Sequence, residues 1–309
     1  MSLISRLPEV RGKYIENAPL KDVTWLRVGG PADVMYLPAD EDDLAAFLSA
    51  TPADVPVHVL GAGSNTLVRD GGIRGVVIRL AGPFAQSEAI SNTQIKAGAG
   101  ALDKMVAKTA QKSGIAGLEY LVGVPGTIGG ALRMNAGCYD QETQDVVIEA
   151  RAVDRQGQIH TASIEELAYS YRHSGAPEDW IFTSAIFQGQ RDDPAAILER
   201  MEAITTRREG TQPIREKTSG STFANPDAPG TENQRKSWQL IDSVGGRGLK
   251  RGGASFSEQH CNFLINDGTA SAADLEDLGE EVRARVKQQH GVELRWEVKR
   301  VGVGARDDH

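Results

Sequence analysis

Leu275, Leu278, Val282 and Val286 recur at steps of three and four, an apolar stripe along one face of a helix. Ser271 with Asp274 resembles a capping box at its start, and His290-Gly291 marks its end. Directly afterwards the period changes to two. Val292, Leu294, Trp296 and Val298 alternate with Glu293, Arg295, Glu297 and Lys299, which predicts a half-buried strand with an open polar side. Further helices are expected from about Leu102 to Lys112 and from Ala195 to Arg208, where Ile197, Met201 and Ile204 share a face. Val34–Leu37, Val57–Leu60, Ile73–Leu80, Gln94–Ala97, Val146–Val153 and Ile181–Phe187 read as strands. Asp40, followed by Glu41, Asp42 and Asp43, is placed to cap a helix between the first two, and the three elements predict a small βαβ unit. The pattern shows no repeat and no low-complexity tract.

A chain of 309 residues exceeds one ordinary small core, so two or three domains are expected. No apolar run approaches the roughly 18 residues of a membrane span. The first residues lack an apolar core, so neither a signal peptide nor membrane insertion is expected. Cys138 and Cys261 are isolated and make no metal-ligand spacing, which points to a reduced, cytoplasmic setting. A net charge of −8 argues against non-specific nucleic-acid binding. Basic clusters at Arg207-Arg208, Arg215-Lys217 and Arg247-Lys250-Arg251 still leave room for an anionic small ligand.

Two glycine loops carry candidate chemistry. Gly61-Ala62-Gly63-Ser64-Asn65-Thr66 follows a predicted strand, and its two glycines allow a backbone to approach phosphate oxygens closely. A Rossmann fingerprint needs glycine where Thr66 stands, so that motif is excluded; a tight turn between strands is the alternative. Gly123-Val124-Pro125-Gly126-Thr127-Ile128-Gly129-Gly130 is the second loop. Thr127 is placed to cap a short helix whose first amides would face a pyrophosphate, while the small residues alternatively serve close packing. A side chain at Gly63 or Gly126 would then obstruct the ligand. Lys217 to Pro226 sets Ser221 beside Gly220 and Thr222 and closes on Asn225-Pro226, a turn able to offer a hydroxyl proton to a ligand.

Thr24-Trp25-Leu26-Arg27-Val28-Gly29-Gly30-Pro31-Ala32-Asp33, both glycine loops, Asn135-Ala136-Gly137, Tyr171-Arg172, Gly220-Ser221 with Asn225-Pro226, and Gly252-Gly253-Ala254 with His260-Cys261-Asn262-Phe263 occur in one order. This ordered set, from about residue 17 to Gly302, resembles the UDP-N-acetylenolpyruvoylglucosamine reductases, flavoenzymes that complete UDP-N-acetylmuramate in peptidoglycan synthesis.

The resemblance implies an α+β fold of the vanillyl-alcohol-oxidase type binding FAD non-covalently, with a C-terminal α+β substrate domain. Residues 1–80 plus 298–309 would form one flavin-binding subdomain and 81–190 the other, with 191–297 taking the UDP-sugar. Gly61, Ala62, Gly63, Ser64 and Asn65, with Gly123, Pro125, Gly126 and Thr127, match segments around the flavin dinucleotide. NADPH would reduce the flavin before UDP-N-acetylglucosamine enolpyruvate binds. Arg172, Ser221 and Glu297 match the catalytic positions. Ser221 would protonate the carbanionic enolate and Arg172 would hold its charge. Glu297 would either support the same oxygen in protonated form or position Ser221. Tyr171, Lys217, Asn225 and Arg247 are the implied substrate contacts, whereas His260 reads better as a buried structural residue.

Two departures stand out. Asp140 replaces a frequent family glycine, although Asp tolerates a left-handed backbone. Only His173 to Trp180 separates Arg172 from the next strand, which suits the shorter type II form. The competing readings are another FAD-dependent oxidoreductase of the same fold and a non-catalytic flavin-binding module.

Overall fold

The computed structural model describes residues 2–227, 230–232 and 234–305. Two compact units emerge, one from Met1–Glu16, Val34–Ala62 and Gly75–Arg208, the other from Asn17–Asp33, Gly63–Arg74 and Glu209–His309. Each has its own apolar core.

In the first unit the helix α1 (Glu41–Ala50) starts where Asp40 caps it, its side chain accepting from the Asp43 amide. Leu44, Phe47 and Leu48 of α1 join Val34, Tyr36, Val76 and Ile78 in one cluster. The sheet beneath has the strand order Lys13–Pro19, Pro31–Leu37, Ile73–Ile78, Val57–Val59. The two strands and the helix of the expected βαβ unit are present, but the strands are not neighbours. Val57–Val59 pairs in parallel with Ile73–Ile78 and does not neighbour Pro31–Leu37. The slot between them goes to the strand carrying Val76, Val77 and Ile78, all fully buried, because a strand covered on both faces must be apolar on both.

Asp43, in the first turn of α1, is buried and anchors the chain ahead of it. Its carboxylate accepts from the Arg11, Gly12 and Ala39 amides at 2.7, 2.9 and 3.0 Å and from the Tyr36 hydroxyl at 2.7 Å. Burial opposes the charge, but these donors outweigh it and hold Asp43 below the usual carboxylate range. The stabilisation is therefore complete above the ordinary carboxylate value and is lost as pH falls through the lowered one. Asp43→Ala is expected to cost about 3 kcal/mol and to flatten the acid limb of the stability curve, as read by denaturant titrations across acid pH.

The rest of this unit is an antiparallel sheet in the order Ile159–Ser163, Val147–Val153, Ile181–Gln188, Gln94–Gly98, Ser87–Ala89. The helices α2 (Asp103–Lys112), α3 (Ile128–Met134), α4 (Ile164–Leu167) and α5 (Pro194–Thr211) accompany it. Val106, Ala107 and Ala110 of α2 cluster with Ile95, Leu132, Phe182 and Phe187.

The second unit carries a sheet ordered Lys217–Ser221, Phe263–Asn266, Ala254–Phe256, Lys250–Arg251, with the helices α6 (Ser237–Ser243) and α7 (Ala272–His290). The capping box is present at Ser271 and Asp274, and Gly291 closes α7 with φ +66°. Asp70 adds a second N-terminal cap, accepting from the Ala272 and Ala273 amides. Leu275, Leu278, Val282 and Val286 are fully buried, each worth about 1.5–3 kcal/mol in removed apolar surface. After α7 the burial alternation at Val292, Leu294 and Val298 is as expected, but the segment is not a continuous strand. It makes one bridge, Trp296 to Phe223, and regular pairing begins only at Lys299–Val301, parallel to Thr66–Val68. Backbone bonds to residues 222 and 224 take the place of a ladder.

Candidate active site

In the first unit the Val57–Val59 strand runs out through Leu60, whose amide bonds to the Ile78 carbonyl, into Gly61. A Cβ at Gly61 would stand 2.6 Å from Thr127 Oγ1, so the two glycine loops approach to a distance only glycine permits. Thr127 is bridged to Leu102, with the Asp103 amide on the Gly126 carbonyl at 3.2 Å. One expectation is corrected here. The Ile128 and Gly129 amides at the start of α3 bond to the Ala101 and Ala99 carbonyls at 3.0 and 2.8 Å, so they do not face a ligand, and Thr127 makes no side-chain cap bond. What the loops supply is close backbone approach, with Ala62, Pro125 and Gly126 half-buried beside it. That arrangement fits a dinucleotide laid across bare backbone.

Gly63 belongs to the second unit and its glycine has another cause. Its φ is +62°, and a Cβ would lie 2.8 Å from Thr24 Cα and 2.9 Å from the Val23 carbonyl. Protein packing by itself is enough to demand glycine at this position. Ser64 is half-buried, and Asn65 is tied to the Glu297 segment: its Nδ2 donates to the Glu297 carbonyl at 3.1 Å and its own carbonyl accepts from the Lys299 amide at 3.0 Å.

Tyr171 and Arg172 form the tip of a two-residue turn closed by paired backbone bonds between Ser170 and His173. Arg172 has φ +57°, a left-handed conformation that costs a non-glycine residue about 1–2 kcal/mol. Its guanidinium lies over the Tyr171 ring at 5.0 Å. It donates to the Gly137 carbonyl at 2.9 Å and pairs with Glu142 at 3.3 Å. Asn135, fully buried and left-handed at φ +43°, locks this corner by donating to Glu142 and to the Ser170 carbonyl and accepting from the Gln144 amide. The adjoining Tyr139 and Asp140 are also left-handed, at φ +53° and +63°, so Asp140 keeps the turn a glycine would make. Cys138 donates to the Tyr120 carbonyl, and burial pushes its thiol up to about 11, which leaves it unreactive.

In the second unit Ser221 ends a strand, not the expected turn. Thr218 pairs with Ile265 and Ser221 with Phe263, so this strand advances three residues while its partner advances two. The extra residue is a β-bulge, which re-aims the side chain beside it. Gly220 supplies the required φ of +79°, although a Cβ there would meet no atom within 4 Å. Glu297 is brought alongside: its amide donates to the Thr222 carbonyl at 2.9 Å, next to Ser221 in sequence. Both side chains are half-buried.

The remaining expected contacts are all in this unit. Asn225 Oδ1 accepts from the Ser237 amide at the start of α6 at 3.1 Å, so it caps that helix. Lys217 is exposed at the start of the bulged strand. Arg247 is engaged internally, forked onto Asp242 at 2.9 and 3.0 Å and donating to the Glu258 carbonyl. His260 packs edge-on against Phe263 and its Nδ1 accepts from the Asn262 amide, a structural placement in which burial lowers its pKa.

Residue-by-residue reading of the sequence gave no role to Asn135, Glu142, Thr222 or Asn262, which hold these side chains in place. Asn135 and Asn262 stand inside Asn135-Ala136-Gly137 and His260-Cys261-Asn262-Phe263, so motif membership was the available signal.

Comparison with known proteins gives the family. Residues 212–301 match the model of the UDP-N-acetylenolpyruvoylglucosamine reductase C-terminal domain, and residues 32–163 match an FAD binding domain. The UDP-N-acetylenolpyruvoylglucosamine reductase of Maricaulis maris is 76% identical over 302 residues, covering 98% of this chain and 96% of the relative. That of Phenylobacterium zucineum is 61% identical over 304 residues, covering 98% and 99%. The crystal structure of the Thermus caldophilus UDP-N-acetylenolpyruvylglucosamine reductase superposes with a TM-score of 0.79 at 33% identity, over 95% of this chain and 100% of that one. The α+β class, the FAD-binding domain and the C-terminal reductase domain are thereby established, and the chain belongs to the UDP-N-acetylenolpyruvoylglucosamine reductase family.

Proposed function

We propose that this chain reduces UDP-N-acetylglucosamine enolpyruvate to UDP-N-acetylmuramate with NADPH, and that Arg172, Ser221 and Glu297 carry the chemistry. When bound, FAD would supply the hydride for the substrate's vinyl carbon, with NADPH as its source. The bare backbone at Gly61 and the Gly126-Thr127 segment would hold the flavin dinucleotide. The Ser221 hydroxyl gives its proton to the carbon next to the carboxylate, so one hydride and one proton saturate the double bond. Arg172, always charged, binds the substrate carboxylate and the charge that develops there. Its strained backbone suits a residue whose direction matters more than its local stability. Glu297 supports the same oxygen or orients Ser221. Tyr171 and Lys217 are assigned to the nucleotide-sugar. Asn225 and Arg247, which cap and brace the same unit, act on it through the shape of the site.

The observation that most supports this reading is the β-bulge that presents Ser221 on backbone bonded to the Glu297 amide, since a polar surface turn has no use for either. No helix among the described residues is long and apolar enough to cross a membrane, in keeping with a proposed cytoplasmic site of action. The purified protein is expected to be yellow and to release FAD on acid denaturation. Its visible absorbance should bleach with NADPH under anaerobic conditions and return on adding UDP-N-acetylglucosamine enolpyruvate. A flavin that NADPH leaves oxidised would favour a non-catalytic binding module. One that bleaches but is not reoxidised by this substrate would favour a different oxidoreductase.

A further inference from the structure

Thr222 and Phe223 directly follow Ser221, and their backbone groups are secured from outside their own strand. The Thr222 amide donates to the Asn262 carbonyl at 2.7 Å, and the Thr222 carbonyl accepts from the Glu297 amide. The Thr222 hydroxyl accepts from the Leu264 amide at 3.2 Å. Phe223 is held by one side chain. Asn262 Oδ1 accepts from the Phe223 amide at 3.0 Å, and Asn262 Nδ2 donates to the Phe223 carbonyl at 2.8 Å. Asn262 is 4% exposed, so no water competes for these bonds.

We propose that Asn262 is a positioning residue for Ser221: its amide completes the interrupted ladder beyond the bulge and so fixes the direction in which the serine hydroxyl points. The bulge between Thr218 and Ser221 breaks the register on one side of the serine. Without a second fixed point on the other side, the segment is free to slide toward regular pairing and turn the hydroxyl away. A primary amide offers a donor and an acceptor in one plane, matching the main-chain N–H and C=O of one residue. Ionised Asp lacks the donor, and Gln carries the amide one methylene too far. Thr222, next to the clamped Phe223, donates to the Asn262 main-chain carbonyl and accepts from the Glu297 amide, so a shift of Phe223 also changes the spacing between Ser221 and Glu297. Misplacement of about 1 Å is enough to cost on the order of 10²-fold in rate.

This inference rests on the proton-donor reading of Ser221, and the test separates the two. FAD content, bleaching by NADPH and reoxidation by UDP-N-acetylglucosamine enolpyruvate are measured for the holoenzyme, Ser221→Ala, Asn262→Asp, Asn262→Gln and the Ser221→Ala/Asn262→Asp double variant. The first two quantities are expected to stay at the wild-type level in both Asn262 variants, while reoxidation slows about 10–10²-fold. A neutral carboxylic acid can both accept from and donate to Phe223. The Asn262→Asp defect should therefore shrink as pH falls, and the Asn262→Gln defect should not. His260 and Cys261, which precede Asn262, and Glu297, whose amide bonds Thr222, are titratable groups around this clamp, so the profile is read as the ratio of variant to wild type. In the double variant Asn262→Asp should add nothing to Ser221→Ala. Wild-type reoxidation in both Asn262 variants, equal slowing of both half-reactions, or additive defects in the double variant would overturn the inference. Normal reoxidation in Ser221→Ala would instead overturn the reading of Ser221. If Asn262→Asp does not fold, Asn262→Gln decides through the split between half-reactions.

Discussion

Ser221→Ala is expected to leave bleaching of the flavin by NADPH at the wild-type rate and to slow reoxidation by the enolpyruvyl sugar about 10²–10⁴-fold, the usual contribution of a general acid. Hydride transfer from NADPH to the flavin needs no proton donor aimed at the sugar, so the two half-reactions separate at this residue. Stopped-flow absorbance resolves both. Stability should hardly change, because the bulge is set by the left-handed φ of Gly220 and by main-chain and Asn262 bonds to Thr222 and Phe223. Arg172→Ala should slow the same half-reaction by about 10²–10³-fold through lost charge stabilisation. It also removes the ion pair to Glu142 and the stacking on Tyr171, so some loss of stability accompanies it. A Ser221→Ala enzyme that turned over normally, or was slow only with NADPH, would reduce Ser221 to a strand-end residue.

The second large effect separates two glycines of one loop. Gly61→Val is expected to lower FAD affinity at least about tenfold while leaving the apoprotein folded, since a Cβ 2.6 Å from Thr127 Oγ1 would push the exposed Gly61 backbone out of the position that meets the dinucleotide. Gly63→Val is expected to destabilise the protein by about 3 kcal/mol even without flavin, because a β-branched residue would carry φ +62° and press on the backbone of Val23 and Thr24. Flavin titration of the apoproteins and their denaturant midpoints distinguish the cases. Equal FAD affinity for Gly61→Val and the wild type would mean the loop is only a turn.

Local signals were readable from the residues themselves. The cap at Asp40, the box at Ser271 and Asp274, the α7 stripe and the burial alternation after it all involve neighbours within a few positions, where side-chain geometry leaves little choice. Pairing over long separations was not legible. Nothing local says that Ile73–Ile78 enters between Pro31–Leu37 and Val57–Val59, or that residues 99–101 claim the first amides of α3. The same limit hid the bulge at Ser221. Lys217 to Ser221 has turn-like composition, and it becomes a strand because Phe263–Asn266 offers it an edge. Gly63 shows a related limit: a glycine needed by a ligand and one needed by a neighbouring backbone look identical until the neighbour is known. Asn65, grouped with the flavin loop by position, turned out to hold the Glu297 carbonyl from 232 positions away.

The parallel pairing of Thr66–Val68 with Lys299–Val301 has a consequence for biosynthesis. The unit that carries Ser221 and Glu297 is assembled from Asn17–Asp33, Gly63–Arg74 and Glu209–His309, so its early strand has no partner until the ribosome has reached Lys299. During that interval Leu67 and Val68, both fully buried at the end, travel on a nascent chain with their edge open. Contacts of such separation close slowly, and the exposed strand invites pairing with another chain. The second unit thus forms last, and a release that stops short of Glu297 yields a polypeptide with an unpaired strand and no Glu297 amide for the Thr222 carbonyl to hold.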